Sequence, residues 1–494
     1  MIDFHTAQQS QAIDRFAIET AGIPGLLLMK RAGLFTFQTL QNHFPKAKRL
    51  LVLCGSGNNG GDGLIVAQFA LLAGLEVKLV MTGLPKNLKN EALLAYQELV
   101  QLGIEPSAFD TKLCEECDLI IDALFGIGLD REITGITADW IKQVNASGKP
   151  VISIDLPSGL HADTGRVLGV AVQATHTCTF LTRKPGLYQF EGSDFAGKVH
   201  FSTLFLDRDI LNTQPAIAHN HSLKEWLKEL PLRRKNSHKG SAGSLCLIGG
   251  DRHMMGAIQM AGLASLKVGT GLVKVITHPE HGIALTQALP ELMCYPPEAL
   301  DDVALNTRVI AIGPGLGLND WGRQLFTQTV ESPEFHSKAK VMDADALKWL
   351  AQFPQKQDNW VLTPHPGEAA TLLDCTTQEV QQDRFSAIKT LQQKYGGVVV
   401  LKGNGTLVYD GKNMELCLAG NPGMAVGGMG DILTGTIGGL IAQGLPLFSA
   451  ACLGVSLHAH AGDILAQQKG QLSLLPTELA SILSQLLTYA DSRS

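Results

Sequence analysis

Aromatic residues are scarce, with Phe, Tyr and Trp making up 6% of the 494 residues. Basic residues do not exceed acidic ones either, and the formal charge of -6 excludes a bulk cationic surface for nucleic acid. Long apolar runs are missing. The most apolar late stretch, residues 432–455, is broken by glycines and by Pro446, so it reads as buried helices and no membrane partner is expected. The nine cysteines have no disulfide-framework spacing, and Cys54, Cys178 and Cys246 fall inside apolar strands. An odd number so placed suits a reducing compartment, and a cytoplasmic location is expected. Cys114 and Cys117 form a CxxC with no second pair to complete a zinc site, and two ordinary thiols ahead of a strand is the simpler reading. The start "MIDFHTAQQSQAIDRFAIETAG" lacks the basic-then-apolar order of a secretion signal. Both common phosphate-loop signatures, GxGxxG and GxxxxGK[ST], find no match at the candidate loops.

What is present is glycine, 52 residues of it, and a chain long enough for two domains. Short runs rich in Val, Ile and Leu at 49–54, 76–81, 118–122, 150–155, 175–180 and 198–203 alternate with helical patterns near 62–73, 87–102 and 135–146. A mostly parallel sheet covered on both faces is the economical solution, with one or two helices added before it in residues 1–30. Strand-like runs restart at "SLCLIGG" and continue through "LVKVIT", "RVIAIGPG", "AKVMDADA", "WVLTPHPGE" and "GGVVVLKG". The fold class is therefore α/β twice over, with domains at 1–215 and 225–494 joined by a linker at 216–224. The basic turn "PLRRKNSHKGSAG" suits a phosphate site or a solvated linker edge equally.

"GNNGGDG", residues 57–63, follows a strand and precedes a helix, a junction that offers free backbone N–H groups to phosphate. Asp122 and Asp155 end strand-like runs, and in an open parallel sheet such ends gather at one crevice. One acid there could neutralise a cation, with help from Asn59 and Ser158, and the other could transfer a proton. Helix capping or turn formation would explain each acid singly, but explains their grouping less well.

The set "GSGNNGGDG", "DALFGIGLDREITG", "SIDLPSGLHADTG" and "TFLTRKPGLY" resembles the amino-terminal domain of NAD(P)HX epimerases. The resemblance implies a Rossmann-like three-layer domain that interconverts the R and S forms of hydrated NADH and NADPH, with K+ in the site. By position it implies that Asn58, Asn59, Gly60, Gly61 and Asp62, together with Gly126, Ile127, Gly128, Leu129, Asp130, Arg131 and Glu132, hold the substrate. It puts Asn59, Asp122 and Ser158 at the potassium ion, and makes Asp155 a catalytic residue that binds the hydrated ring. Whether the C6 proton leaves and returns or the hydrate opens transiently stays open.

In the second half, "NPGMAVGGMGDILTG" crowds glycines before a helix. Gly428 to Gly430 can aim N–H groups at a transferring phosphoryl group, and Asp431 can accept a hydroxyl proton or simply cap the helix. This resembles the anion hole and aspartate of ribokinase-like kinases, and "IGPGLG", "MDADAL", "LTPHPGE" and "LKGNGT" narrow it to the ADP/ATP-dependent NAD(P)HX dehydratases. The resemblance implies that Ala257, Gly315, His365 and Asp431 contact the hydrate, with Asp431 as base. Lys402, Gly403, Asn404, Gly405, Thr406 and Gly430 then face the adenine nucleotide. His365, between two prolines, could instead order a turn. Mg2+ is the expected companion of the phosphates. The motifs do not distinguish ADP from ATP. The bacterial branch of the resembled family uses ADP, giving AMP and phosphate, and the fused order here looks like that branch. A homo-oligomer, a tetramer or larger, is expected by the same resemblance. The rival reading is a kinase for a small alcohol such as a vitamin precursor, with a non-catalytic amino-terminal binding module.

Overall fold

The computed structural model describes residues 1–491. The chain divides into two compact units, Asp3–Ala218 and the chain from His219 onward together with Met1 and Ile2.

The first unit is built on a six-stranded sheet in the order Glu76–Met81, Arg49–Cys54, Leu119–Ala123, Val151–Ile154, His176–Phe180, Lys198–Ser202, parallel throughout. Leu50 to Cys54 and all of Leu119–Ala123 are buried, as strands covered on both faces must be. The helices Gly25–His43 and Asn58–Leu72 pack together on one face. The strand order reverses between Arg49–Cys54 and Leu119–Ala123, so their carboxyl ends open a crevice at the switch point.

One expectation changes here. The sequence reads as a glycine loop followed by a helix from about residue 62, whereas the helix begins at Asn58 with Gly57 as its cap. Close packing explains it: a Cβ on Gly60 would sit 2.0 Å from the Gly55 carbonyl oxygen, so only glycine lets the first helical turn lie against the strand end. The early helices of the expected pair are Ala7–Glu19 and Gly25–His43. The first has a capping box in which Thr6 and Gln9 satisfy each other's backbone donors.

From Ser244 onward the second unit carries seven parallel strands, in the order Val398–Leu401, Trp360–Leu362, Ala339–Met342, Val309–Ile312, Ser244–Ile248, Leu272–Ile276, Leu292–Tyr295. An antiparallel hairpin, Leu407–Tyr409 with Met414–Leu416, extends one side and was not read from the sequence. Its strands have 3 residues each, too short to show alternation. The glycine-rich apolar stretch forms helices Met429–Ala442 and Leu447–Lys469, buried along much of their length. A Cβ on Gly435 would lie 2.0 Å from the Ala261 carbonyl oxygen, so glycine sets how closely Met429–Ala442 crosses Met255–Lys267. No helix of the described residues is long and apolar enough to cross a membrane.

Candidate active site

In the first unit three strand ends bring polar groups into one crevice. Asp122 is fully buried, and its lone pairs are taken. Oδ1 accepts from Ser158 Oγ at 2.6 Å and the Leu124 amide at 3.3 Å, and Oδ2 from Ser153 Oγ at 2.7 Å and the Ser158 amide at 2.9 Å. Burial raises its carboxyl above the ordinary range, with the Ser158 and Ser153 donors opposing. Ser158 Oγ also accepts from the Phe125 amide at 2.8 Å, which ties the 124–131 loop to Asp122. Asn59 faces Gly126 across this loop, and its buried Nδ2 has no partner.

Asp155 follows its strand at φ 63°, a left-handed conformation uncommon outside glycine, asparagine and aspartate. The turn aims its carboxylate at Lys184, whose Nζ lies 2.6 Å from Oδ1. Lys184 is 1% exposed and completes its three donors on Thr179 Oγ1 at 3.2 Å and the Phe180 carbonyl at 2.7 Å. Two further acids share this charge field. Asp62 is raised well above the ordinary range by burial and by Asp155 and Asp14, against Lys184. Asp14 is raised by burial and Glu91, again with Lys184 opposing.

Asp155, Lys184, Asp62 and Asp14 line a cavity of about 530 Å³. Of the residues singled out in the sequence, Asn58, Asn59, Asp62, residues 126–131 and Asp155 line it. Gly60, Gly61, Asp122, Ser158 and Glu132 are not in its wall. Gly60 and Gly61 serve close packing, the latter against Met29. Lys184, Asp14 and Glu91 line the cavity too and were missed as site residues. Lys184 stood inside a quoted motif, and its burial depends on long-range contacts. Asp14 had a local signal, an acid four residues after buried Ser10 and beside buried Ile13.

In the second unit a half-buried lysine meets a buried aspartate. Lys402 Nζ lies 2.8 Å from Asp343 Oδ1 and 3.7 Å from Glu368 Oε2. Thr434 Oγ1 donates to Asp343 Oδ2 at 2.7 Å. Burial alone would raise Asp343, but Lys402 and Thr434 outweigh it and hold the carboxyl below its ordinary value. Asp431 stands in the first turn of Met429–Ala442, whose cap Gly428 has φ 99°. It forms no ion pair among the described residues. Burial, then the nearby Asp343 charge, push its carboxyl up to about 7 against the pull of Lys402. Gly430 lies beside this group, since a Cβ there would be 3.4 Å from Lys402 Nζ.

Ala257 and Gly315 are neighbours, a Cβ on Gly315 falling 3.3 Å from that of Ala257. His365 caps helix Pro366–Leu373, its Nδ1 accepting from the Gly367 and Glu368 amides at 3.0 and 3.2 Å. Its Nε2 lies 3.5 Å from Glu368, so it orders the turn and stands one residue removed from Lys402. The 402–406 loop is held from behind by Arg384, 1% exposed, whose guanidinium donates to the Leu401, Lys402 and Gly405 carbonyls. Burial pushes that guanidinium down to about 10. Gly403 and Asn404 are exposed at the loop tip, and Thr406 Oγ1 donates back to the Gly403 carbonyl. Asp343, Glu368, Thr434 and Arg384 were not assigned from the sequence, although the first three lay in quoted motifs.

A parallel-sheet unit with a charged cavity, followed by a kinase-like unit with a glycine-capped helix, defines a two-domain α/β enzyme for nucleotide-sized substrates. A family model described as YjeF-related protein N-terminus matches residues 25–186, and one described as NAD(P)H-hydrate dehydratase matches residues 245–485. The bifunctional NAD(P)H-hydrate repair enzyme of Coxiella burnetii is 42% identical, covering 96% of each chain. That of Escherichia coli is 42% identical over 98% of this chain and 94% of its own. Among solved structures, an ADP/ATP-dependent NAD(P)H-hydrate dehydratase of Bacillus subtilis, crystallised with ATP and Mg2+, is 28% identical with TM-score 0.50, covering 56% of this chain and 99% of its own. A ribokinase-like protein of Enterococcus faecalis is 31% identical with TM-score 0.51, over 54% and 94%. The chain belongs to the bifunctional NAD(P)H-hydrate repair enzymes. The epimerase and dehydratase reading therefore stands, in preference to the small-alcohol kinase.

Proposed function

We propose that the first unit epimerises the R and S hydrates at Asp155 and that the second dehydrates the S form at Asp431, with ADP as phosphoryl donor. The observation that carries this division is that each unit has its own lysine–aspartate pair, Lys184 with Asp155 and Lys402 with Asp343. Asp155 touches the cavity with Lys184 on its oxygen, placed to take and return a proton or to open the hydrate. Asn58, Asn59, Asp62 and residues 126–131 bind the dinucleotide along the same wall, with Gly60, Gly61 and Glu132 supporting the loops.

Asn59 Oδ1 beside Gly126, Ser158 Oγ and the Phe125 carbonyl are the oxygens that would hold a cation, with the Asp122 carboxylate behind Ser158 as its counter-charge. Potassium bound there would supply positive charge against the substrate's phosphates.

In the second unit the C6 hydroxyl is a poor leaving group. Asp431 accepts its proton while the oxygen takes the terminal phosphoryl group of ADP, leaving AMP. The ring nitrogen lone pair then breaks the C6–O bond, expelling phosphate, and loss of the C5 proton restores the C5–C6 double bond. Backbone N–H groups of Gly428 and Gly430 face the transferring group, and Lys402 to Thr406 hold the nucleotide. Ala257, Gly315 and the His365 turn border the hydrate. Among the described residues this unit has no cluster of three acidic or imidazole ligands, which favours Mg2+ held mainly by the donor's own phosphates. All nine cysteines are free, which supports a cytoplasmic location.

The test is recovery of NADH absorbance from mixed R and S hydrate with K+ and Mg2+, run once with ADP and once with ATP. Complete recovery with ADP, and slower recovery with ATP, is expected. Recovery with ATP alone would overturn the donor assignment.

A further inference from the structure

His43, His176 and His200 come together in the first unit, with one ring nitrogen of each within 4.8 Å of the other two. The ring centroids are 4.6 Å apart for His43 and His176, 4.9 Å for His43 and His200, and 5.0 Å for His176 and His200. Three separate elements build the cluster. His176 opens the strand His176–Phe180, His200 sits in the neighbouring parallel strand Lys198–Ser202, and His43 is the last residue of helix Gly25–His43. His176 pairs with Lys198 and Cys178 with His200, so both histidines point to the same sheet face, the one that carries the helix.

We infer that these three imidazoles form a binding site for a divalent metal of intermediate softness, Zn2+ above all, separate from both catalytic sites. His176 Nδ1 and His200 Nε2 share a hydrogen bond of 2.8 Å. Two nitrogens bound to one tetrahedral zinc stand about 3.3 Å apart. Replacing the shared proton by the metal therefore needs only a small opening. Neutral imidazoles are the ligand form, and no carboxylate is paired with any of the three among the described residues. The charged groups acting on His200 are His176, His43 and Lys198. Phe44 covers the site edge-on, 5.3 Å from His176, while His43 is exposed and leaves a fourth position open to water. The helix carboxyl terminus adds negative dipole toward a cation at His43.

The site lies at the amino end of His176–Phe180, whereas Asp155 and the cavity collect at carboxyl ends of strands. A metal here joins the end of helix Gly25–His43 to the edge strand. Gly25, Leu28 and Met29 of the same helix line the cavity, so the metal steadies a cavity wall without touching substrate.

The experiment titrates the metal-stripped full chain with Zn2+ alone, following uptake by equilibrium dialysis and the coordination shell by X-ray absorption. Wild type should take up about one zinc with an imidazole and oxygen shell, and its unfolding temperature should rise. His43→Gln, an exposed change, should fold normally and weaken uptake at least about tenfold, and His200→Gln should do the same. Equal uptake by wild type and both variants would overturn the site. So would sulfur in the shell, which would mark Cys114 and Cys117 as the ligands.

Discussion

The two proposed sites use the same pair of residue types and leave the proposed base in opposite circumstances. In the first unit Lys184 bonds directly to Asp155, the proposed base. In the second Lys402 bonds to Asp343, and Asp431 is left beside that pair with its carboxyl raised to about 7. The difference lies in where the lysine is anchored. Lys184 sits 29 residues after Asp155 on the next strand's exit, while Lys402 bonds to Asp343 and forms no ion pair with Asp431 among the described residues. A lysine thus serves as direct counter-ion in one site and as neutraliser of a second acid in the other, which suits ring epimerisation and deprotonation of an alcohol respectively.

The sharpest break is Asp431→Asn. Dehydration should fall by about 10²–10⁴ in kcat while epimer interconversion, followed by chromatography, continues. An unchanged rate would remove the proposed base. Next comes Lys184→Met, which strands a carboxylate at the cavity. It should cost the first unit about 3–5 kcal/mol in denaturant unfolding and abolish epimerisation, leaving nucleotide-dependent dehydration of the S form. If dehydration falls in parallel, the sites are not independent.

A gentler probe is pH. With its carboxyl raised to about 7, Asp431 is protonated and cannot act as base at lower pH. Dehydration should drop about tenfold per unit below that point, and Asp431→Glu should displace the limb. The smallest effect concerns stability. A carboxyl whose folded value is raised above the unfolded 3.8 destabilises the fold increasingly as pH climbs from there to about 7. Asp431→Asn should therefore stabilise the chain by about 1–3 kcal/mol at pH 8, with the gain fading toward pH 4 in thermal melts.

Much of the fold was legible because buried parallel strands write themselves as Val, Ile and Leu runs, as at Arg49–Cys54 and Val309–Ile312. The helix start at Asn58 was not, because the reason for it is the Gly55 carbonyl under Gly60, a contact that spacing cannot show. Asp122 and Asp155 were accessible as polar residues ending apolar runs, and Asp431 as the acid between a glycine-rich loop and an apolar helix. Their partners were not: Lys184, Asp343 and Thr434 acquire meaning through hydrogen bonds across 29 to 91 residues. The histidine cluster has the same character, three residues without a common motif that meet through strand register and a helix end.

The central claim, one base in each unit, is tested most directly by mixing two crippled chains on R and S hydrate with ADP and following NADH absorbance. Asp155→Asn alone should stop at the S fraction, Asp431→Asn alone should give no NADH, and the mixture should recover the whole pool. Full recovery by Asp155→Asn alone would contradict the account.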